Sequence, residues 1–209
     1  SMLACVDAKE EESVEGMQEE AHECGHAHHE AEYDEHVWLS LRNAETITRA
    51  IADALCEADP AHAETYRANA DAYIAQLAEL DAQYADMVRH AARSTILFAD
   101  RFPFRYLADD YGLTYYAAFA GCSAETEASF KTIAFLAKKV DELNLPAVLA
   151  IEGGNHAIAE TVVASTQAKN QVILSMNSLQ SMTEADVQRG ESYLSVMIQN
   201  LAILTQALN

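Results

Sequence analysis

DPAHAETYRANADAYIAQLAELDAQYADMVRHAAR, residues 59–93, is the longest unbroken helical pattern in the chain. Its apolar positions are Tyr66, Ala70, Tyr73, Ile74, Leu77, Leu80, Tyr84, Met87 and Val88. Spacings of three and four keep them on one stripe of a helix. Asp59-Pro60 is a start signal: a carboxylate can accept first-turn N–H groups, and proline has none to lose at the first helical position. Arg89, His90 and Arg93 place cations at the carbonyl end of the dipole. At about 1.5 Å per residue such a helix runs roughly 50 Å, longer than one compact lobe needs. A spine linking two bodies is the expectation.

Downstream of this helix the pattern changes. Short, nearly all-apolar runs at Ser94 to Ala99, Leu113 to Phe119, Ala147 to Ile151 and Gln171 to Leu174 alternate with helical segments. Those segments cover approximately Phe104 to Tyr111, Ala124 to Leu143, His156 to Ala168 and Thr183 to Leu208. Apolar strands alternating with helices predict an α/β lobe: about four parallel strands flanked by helices, preceded by the long linking helix. In the last helix Tyr193, Met197, Leu201, Leu204 and Leu208 share a stripe, while Gln199, Asn200 and Gln206 mark it as packed on the lobe rather than membrane-crossing.

Upstream, Trp38 and Leu39 are the first pair of large apolar residues, and Ser40 or Asn43 can cap a helix running to about Ala58. His36 lies just ahead of that helix, either as a hydrogen-bonded structural group or as a ligand. Residues 1–33 are different in kind. Residues 1 to 36 hold twelve acidic side chains against one lysine, over half of the chain's net charge of -20. With little apolar periodicity, a flexible segment is expected. His22, His26, His28 and His29 cluster in it, and imidazoles among carboxylates suit divalent metals such as zinc. A solvated charged loop is the alternative. The expected division is therefore 1–33 acidic and His-rich, 34–93 helical, and 94–209 the α/β lobe.

This charge balance excludes nucleic acid and anionic membrane surfaces as partners and favours cations. Four cysteines without a CxxC pair give no zinc ribbon, and their spacing assigns no disulfide. No run of eighteen apolar residues exists to span a bilayer, and no charged-then-apolar leader is present. Ser1-Met2 resembles an appended start, and the expectation is a piece of a longer protein.

In open parallel sheets ligands bind beyond the carboxyl ends of the strands. That rule selects Ala120-Gly121-Cys122 after the second strand and, as a group able to converge, Asp100 and Arg101 after the first, Glu152 with Gly153 and Gly154 after the third, and Asn177 after the fourth. These form one expected ligand cleft, unless Arg101 and a carboxylate merely pair to hold strand ends together. Nucleophile elbow, phosphate loop and HExxH are all absent, so no enzyme is expected. Cys122 in Gly121-Cys122-Ser123 has no evident paired histidine.

Taken together, these segments resemble the C-terminal part of the zinc- and manganese-type solute-binding lipoproteins of bacterial ABC importers. Asp34-Glu35-His36-Val37-Trp38-Leu39-Ser40 with Asn43-Ala44 resembles the family's D-P-H-x-W-L-(S/D)-P-x-N-A segment, and an acidic His-rich loop precedes it in zinc-type members. Asp59-Pro60 and Tyr66-Arg67-Ala68-Asn69-Ala70 resemble the linking helix. Phe104-Arg105-Tyr106-Leu107 through Tyr111-Gly112-Leu113 resembles F-G-Y-L and Y-G-L, and Asn200-Leu201 with Ala207-Leu208 the closing helix.

The resemblance implies an extracytoplasmic receptor, periplasmic or a cell-surface lipoprotein, that binds a divalent metal for an ABC permease. Zinc is the expected cargo and manganese the alternative. It implies His36 as a metal ligand and puts Asn177 at another ligand position; Glu152 from the strand-end rule and the clustered His22, His26, His28 and His29 complete the expected metal contacts. Another ligand histidine and the membrane anchor would belong to a part preceding this chain. The family's third ligand position falls on Arg101, whose guanidinium stays protonated and cannot bind a cation. Asn177, where the family often has Asp, offers a neutral carbonyl. A relative holding an anionic solute through Arg101 is the alternative function.

Overall fold

The computed structural model of the chain describes residues 2–18, 33–123 and 127–209. Four strands form one wholly parallel sheet in the order β2-β1-β3-β4. They are β1 (Thr95–Phe102), β2 (Thr114–Ala120), β3 (Ala147–Ile151) and β4 (Val172–Met176). Every residue of β3 is buried, the burial a central parallel strand needs when helices cover both faces.

Two helices precede the sheet, α1 (Leu41–Ala58) and α2 (Ala63–His90). The Ser40 hydroxyl accepts the Asn43 N–H at 3.0 Å, so of the two candidate caps Ser40 takes the role. The expected spine is continuous from Ala63, while its first turn, Pro60–His62, is a tighter 3₁₀ turn. There the Asp59 carboxylate binds its own neighbours rather than capping the backbone: His62 Nδ1 lies at 2.7 Å and the Tyr66 hydroxyl donates at 2.9 Å. Ile74, Leu77, Leu80 and Tyr84 form the buried stripe, and the Tyr84 hydroxyl donates to the Met197 carbonyl at 2.7 Å. At about 1.5 Å per residue the 28 residues of α2 span about 42 Å.

The remaining helices are α3 (Arg105–Tyr111), α4 (Phe130–Leu143), α5 (Ala157–Ser165), α6 (Glu184–Gln188) and α7 (Tyr193–Leu208). The last pair is expected from sequence as one helix. It breaks because Gly190 takes a left-handed φ of 91° and Ser192 opens a new capping box. Two apolar layers sandwich the sheet. One, with Leu77, Tyr84, Phe98, Phe104 and Met197, faces α2 and α7; the other, with Leu97, Phe119, Leu136 and Val162, faces α4 and α5.

One irregularity positions the site. β1 continues past Ala99 to Phe102 through a bulge, since Phe98 pairs with Ala117 but Arg101 with Phe119. Asp100 and Arg101 therefore sit within the end of a strand rather than beyond it. Bulges re-aim side chains, and this one lies where the strand order reverses between β1 and β3.

Candidate metal centre

The carboxyl ends of the strands meet the segment that leads into α1. Here the chain tightens into a 3₁₀ turn, Val37–Leu39, with Val37 and Leu39 fully buried, so His36 is drawn into the protein and is only 2% exposed. Asp34, at 3% exposure, is the reason it stays there. One oxygen of its carboxylate accepts both the His36 backbone N–H and, at 2.8 Å, the ring at Nδ1. Asp34 is itself fixed at both ends: its N–H donates to the Lys9 carbonyl and its carbonyl accepts the Tyr106 hydroxyl, each at 2.9 Å.

A carboxylate only accepts, so Nδ1 carries a proton, and in the neutral ring Nε2 presents its lone pair. This arrangement orients an imidazole for a metal. The end of β2 closes on the other side of the ring. A Cβ at Gly121 would stand 3.0 Å from the Phe102 carbonyl oxygen and 3.1 Å from His36 Cε1, so only glycine fits there without displacing the histidine.

Nε2 faces the loop after β4, where the Gln180 amide nitrogen lies 2.6 Å away. The same loop carries Asn177 and is anchored by Glu152. The Glu152 carboxylate accepts the Ser178 N–H and hydroxyl at 2.8 Å and the Ser181 hydroxyl at 3.0 Å. The Asn177 side-chain oxygen accepts the Leu179 N–H at 2.8 Å, and its backbone is clasped by the buried Asn200 amide on both sides. Trp38 ties this loop to the His36 segment, donating from Nε1 to the Ser178 carbonyl at 3.0 Å, with its ring centroid 5.4 Å from that of His36.

The sequence-derived site residues thus have distinct places. His36 and the loop bearing Asn177 are brought together, with Glu152 holding the loop by its carboxylate. Asp100 bridges the switch point: Oδ1 accepts the Arg101 N–H at 2.8 Å and Oδ2 the Ile151 N–H of β3 at 3.3 Å. Arg101 turns to the carbonyl of Ser123, with Nη1 at 3.5 Å. Among the described residues the ion pairs do not include one between Arg101 and Glu152 or Asp100. His22, His26, His28 and His29 lie outside the described residues.

Sequence reasoning missed Asp34 and Gln180 as parts of the site, and it placed Gly121 at the end of the second strand without its approach to His36. Asp34 carried a signal, a carboxylate two residues before a histidine; Gln180 is 144 positions from His36 and carried none. Among the described residues no three His, Cys, Asp or Glu side chains converge to form a metal cage. Burial and the nearby Glu11 carboxylate push the Cys122 thiol up to about 11, away from the thiolate form that a nucleophile needs.

Comparison with known proteins fits this geometry. The family model described as the periplasmic zinc-uptake complex component A, ZnuA, matches residues 3–207. The zinc-binding lipoprotein AdcA of Streptococcus pneumoniae is 36% identical over 192 residues, which are 91% of this chain and 37% of that protein. The high-affinity zinc uptake system protein ZnuA of Bacillus subtilis is 30% identical over 175 residues, 84% of this chain and 53% of that one. Among solved structures, the Zn(II)-bound ZnuA-like domain of S. pneumoniae AdcA superposes with a TM-score of 0.69 at 35% identity, covering 84% of this chain and 64% of that one. The chain spans little more than a third of the length of the first of these curated relatives.

Proposed function

Because the chain belongs to the ZnuA family of zinc-uptake components, we propose that it captures zinc outside the cytoplasm and presents it to the permease of an ABC importer. The observation that supports this most directly is His36, held by Asp34 with Nε2 as its lone-pair nitrogen at the carboxyl ends of the sheet. A neutral, preoriented imidazole is a good zinc ligand, and zinc accepts mixed nitrogen and oxygen donors in a tetrahedral set. Nitrogen donation favours zinc over manganese, the harder ion of the two.

This lobe supplies His36 and, on the facing loop, the amide of Gln180. Further donors would come from the rest of the receptor, whose relatives are longer than this chain. Arg101 offers no donor, and its turn toward Ser123 keeps its guanidinium engaged on the backbone. Binding an anionic solute through Arg101 is less well supported, because the relatives are named for zinc. Attachment to a membrane as a lipoprotein, as in the name of the S. pneumoniae relative, is part of the same proposal. So is the division into an acidic His-rich segment (1–33), a helical segment (34–93) and the lobe (94–209). The role is one of binding and release rather than catalysis.

Titrating the protein with zinc against a chelating dye tests the reading. His36→Ala is expected to remove the tightest zinc component, and an unchanged isotherm in that variant would refute it.

A further inference from the structure

Residues 3–18 run across α3 to the edge strand β2 without burying any residue completely. Leu3 and Val6 root the stretch on Val37, Ile47 and Tyr106. From Lys9 onward polar contacts hold most of it. Lys9 Nζ pairs with Asp109, Glu12 pairs with Arg105 at 3.1 Å, and a Glu11 carboxylate oxygen accepts the Cys122 N–H at 3.1 Å. Gly16, at a left-handed φ of 88°, lies against Phe135, where any Cβ would strike the ring. Of these contacts the Arg105 pair carries most. Its side chain is only 16% exposed, and among the described residues its Nε and Nη1 are buried without a hydrogen-bond partner. A buried charge is costly unless paired, so among the described residues neutralising this guanidinium falls to Glu12.

Lys9 meets the site through a closed ring of three hydrogen bonds. Its N–H donates to the Tyr106 hydroxyl, that hydroxyl donates to the Asp34 carbonyl, and the Asp34 N–H donates back to the Lys9 carbonyl, each at 2.9 Å. Tyr106 is buried in α3 and gives the ring a fixed point, while the Asp34 carboxylate orients His36. We infer that Tyr106 and Lys9 are positioning residues of the metal site: the docked N-terminal stretch, clamped by Glu12 on Arg105, holds Asp34 and through it His36 ready for the metal. This rests on the receptor reading above. Partners beyond the ligands themselves set metal affinity by fixing ligand orientation. Because the stretch lies on the surface, it can lift without opening the core, and such local openings cost less than global unfolding. Lifting it deprives the Asp34 N–H of its acceptor and loosens the carboxylate that sets the imidazole. Zinc affinity is thereby tied to the docking of a segment that touches no metal ligand directly.

The test uses the whole protein with Arg105→Glu, which sets two carboxylates against each other, and with the exchanged pair Glu12→Arg and Arg105→Glu, which restores the attraction. Tyr106→Phe is the second route, keeping the ring in the core and removing only the hydroxyl. In metal-free protein, Arg105→Glu is expected to speed hydrogen exchange at the Asp34 amide by about tenfold or more and to abolish the downfield His36 Hδ1 resonance. With zinc chloride titrated against a chelating dye, affinity should fall about tenfold in Arg105→Glu and in Tyr106→Phe. The exchanged pair should recover exchange, resonance and affinity together, which a loss of fold at position 105 would not allow. Unchanged Asp34 exchange in Arg105→Glu, or parental zinc affinity in Tyr106→Phe, overturns the inference, as does a folded exchanged pair that recovers nothing. If the exchanged pair does not fold, Tyr106→Phe alone decides. Failure of the receptor reading is separable: His36→Ala would then leave zinc binding unchanged, whereas the metal-free exchange and the Hδ1 resonance still decide whether the stretch sets Asp34 and His36.

Discussion

Asp34 and His36 share a single carboxylate oxygen twice over, once through the backbone N–H and once through Nδ1, both at 2.8 Å. The geometry fixes position, ring rotation and tautomer together, which is what a ligand histidine requires before a metal arrives. Asp34→Asn keeps the size but lets an amide donate as well as accept, so the tautomer is no longer imposed. Zinc affinity is expected to fall about 10- to 100-fold. Competition against a chelating dye measures it, and equal affinities would mean the carboxylate serves the fold alone.

Asp100 presents the opposite case, a cleft carboxylate engaged by backbone. Its bond to the Ile151 N–H ties β1 to β3 across the switch point. Asp100→Ala leaves that donor without its partner and should cost about 1–3 kcal/mol of stability. Urea unfolding reads the loss. Zinc affinity should not change, and a parallel loss of zinc binding would place Asp100 in the metal site itself.

Cys122 lies at the surface, yet its thiol is pushed up to about 11 from 9.0 by burial of the sulfur and by Glu11. The thiolate is the reactive form, so at pH 8 the reactive fraction is about 100-fold below that of an ordinary thiol. Alkylation followed by peptide mapping should show Cys122 reacting more slowly than the exposed Cys5, with its rate still rising above pH 10. Equal rates at pH 8 would contradict this environment.

The acidic segment should act as a weak, multi-site cation reservoir. At the borders of this segment Gln18 donates its N–H to the Ala118 carbonyl and Tyr33 is bridged to Glu10. Its histidines are irregularly spaced in a sequence with little apolar periodicity, so low affinity is expected. Replacing His22, His26, His28 and His29 with Ala should lower zinc stoichiometry while leaving the tightest component intact. Unchanged stoichiometry would reduce the segment to a charged spacer.

The four strands were legible because each is a short run of apolar side chains, the mark of burial on both faces. The end of β1 was not, since Asp100 and Arg101 look like a strand's end; only the bulge and the pairing with Phe119 carry the strand through them. The C-terminal helices merged in the sequence reading because their apolar spacing is continuous, whereas Gly190 and Ser192 decide the break locally. At the site, His36 stood out by its segment. Glu152 and Asn177 were legible as neighbours of the crevice but not in their bonding, because the Ser178 and Ser181 hydroxyls that take up Glu152 arrive from the next loop. Gln180 was invisible for a plainer reason: an amide three residues past Asn177 signals nothing until the fold sets it against His36.

Arg101 is where family resemblance and physical chemistry part, and it makes the sharpest prediction. It stands at the position that the resemblance gives to a ligand, but its guanidinium has no lone pair to offer and keeps its charge at every accessible pH. Within the bulge its Nη1 rests on the Ser123 carbonyl rather than on a carboxylate, so, among the described residues, Asp100 and Glu152 leave the charge unneutralised. A fixed positive charge beside a cation site opposes the ion by Coulomb repulsion. Three variants separate charge from ligation. Arg101→Lys keeps the charge and should leave zinc affinity unchanged; Arg101→Ala removes the repulsion and should raise it modestly. Arg101→His removes the repulsion and adds an imidazole, and should raise it most, by about tenfold or more beyond the alanine variant, an added ligand being worth at least one ordinary charge-assisted bond. Titration of the three against the same chelating dye orders them. If the histidine variant bound no better than alanine, position 101 would not face the metal, and the third donor would have to be sought elsewhere in the receptor.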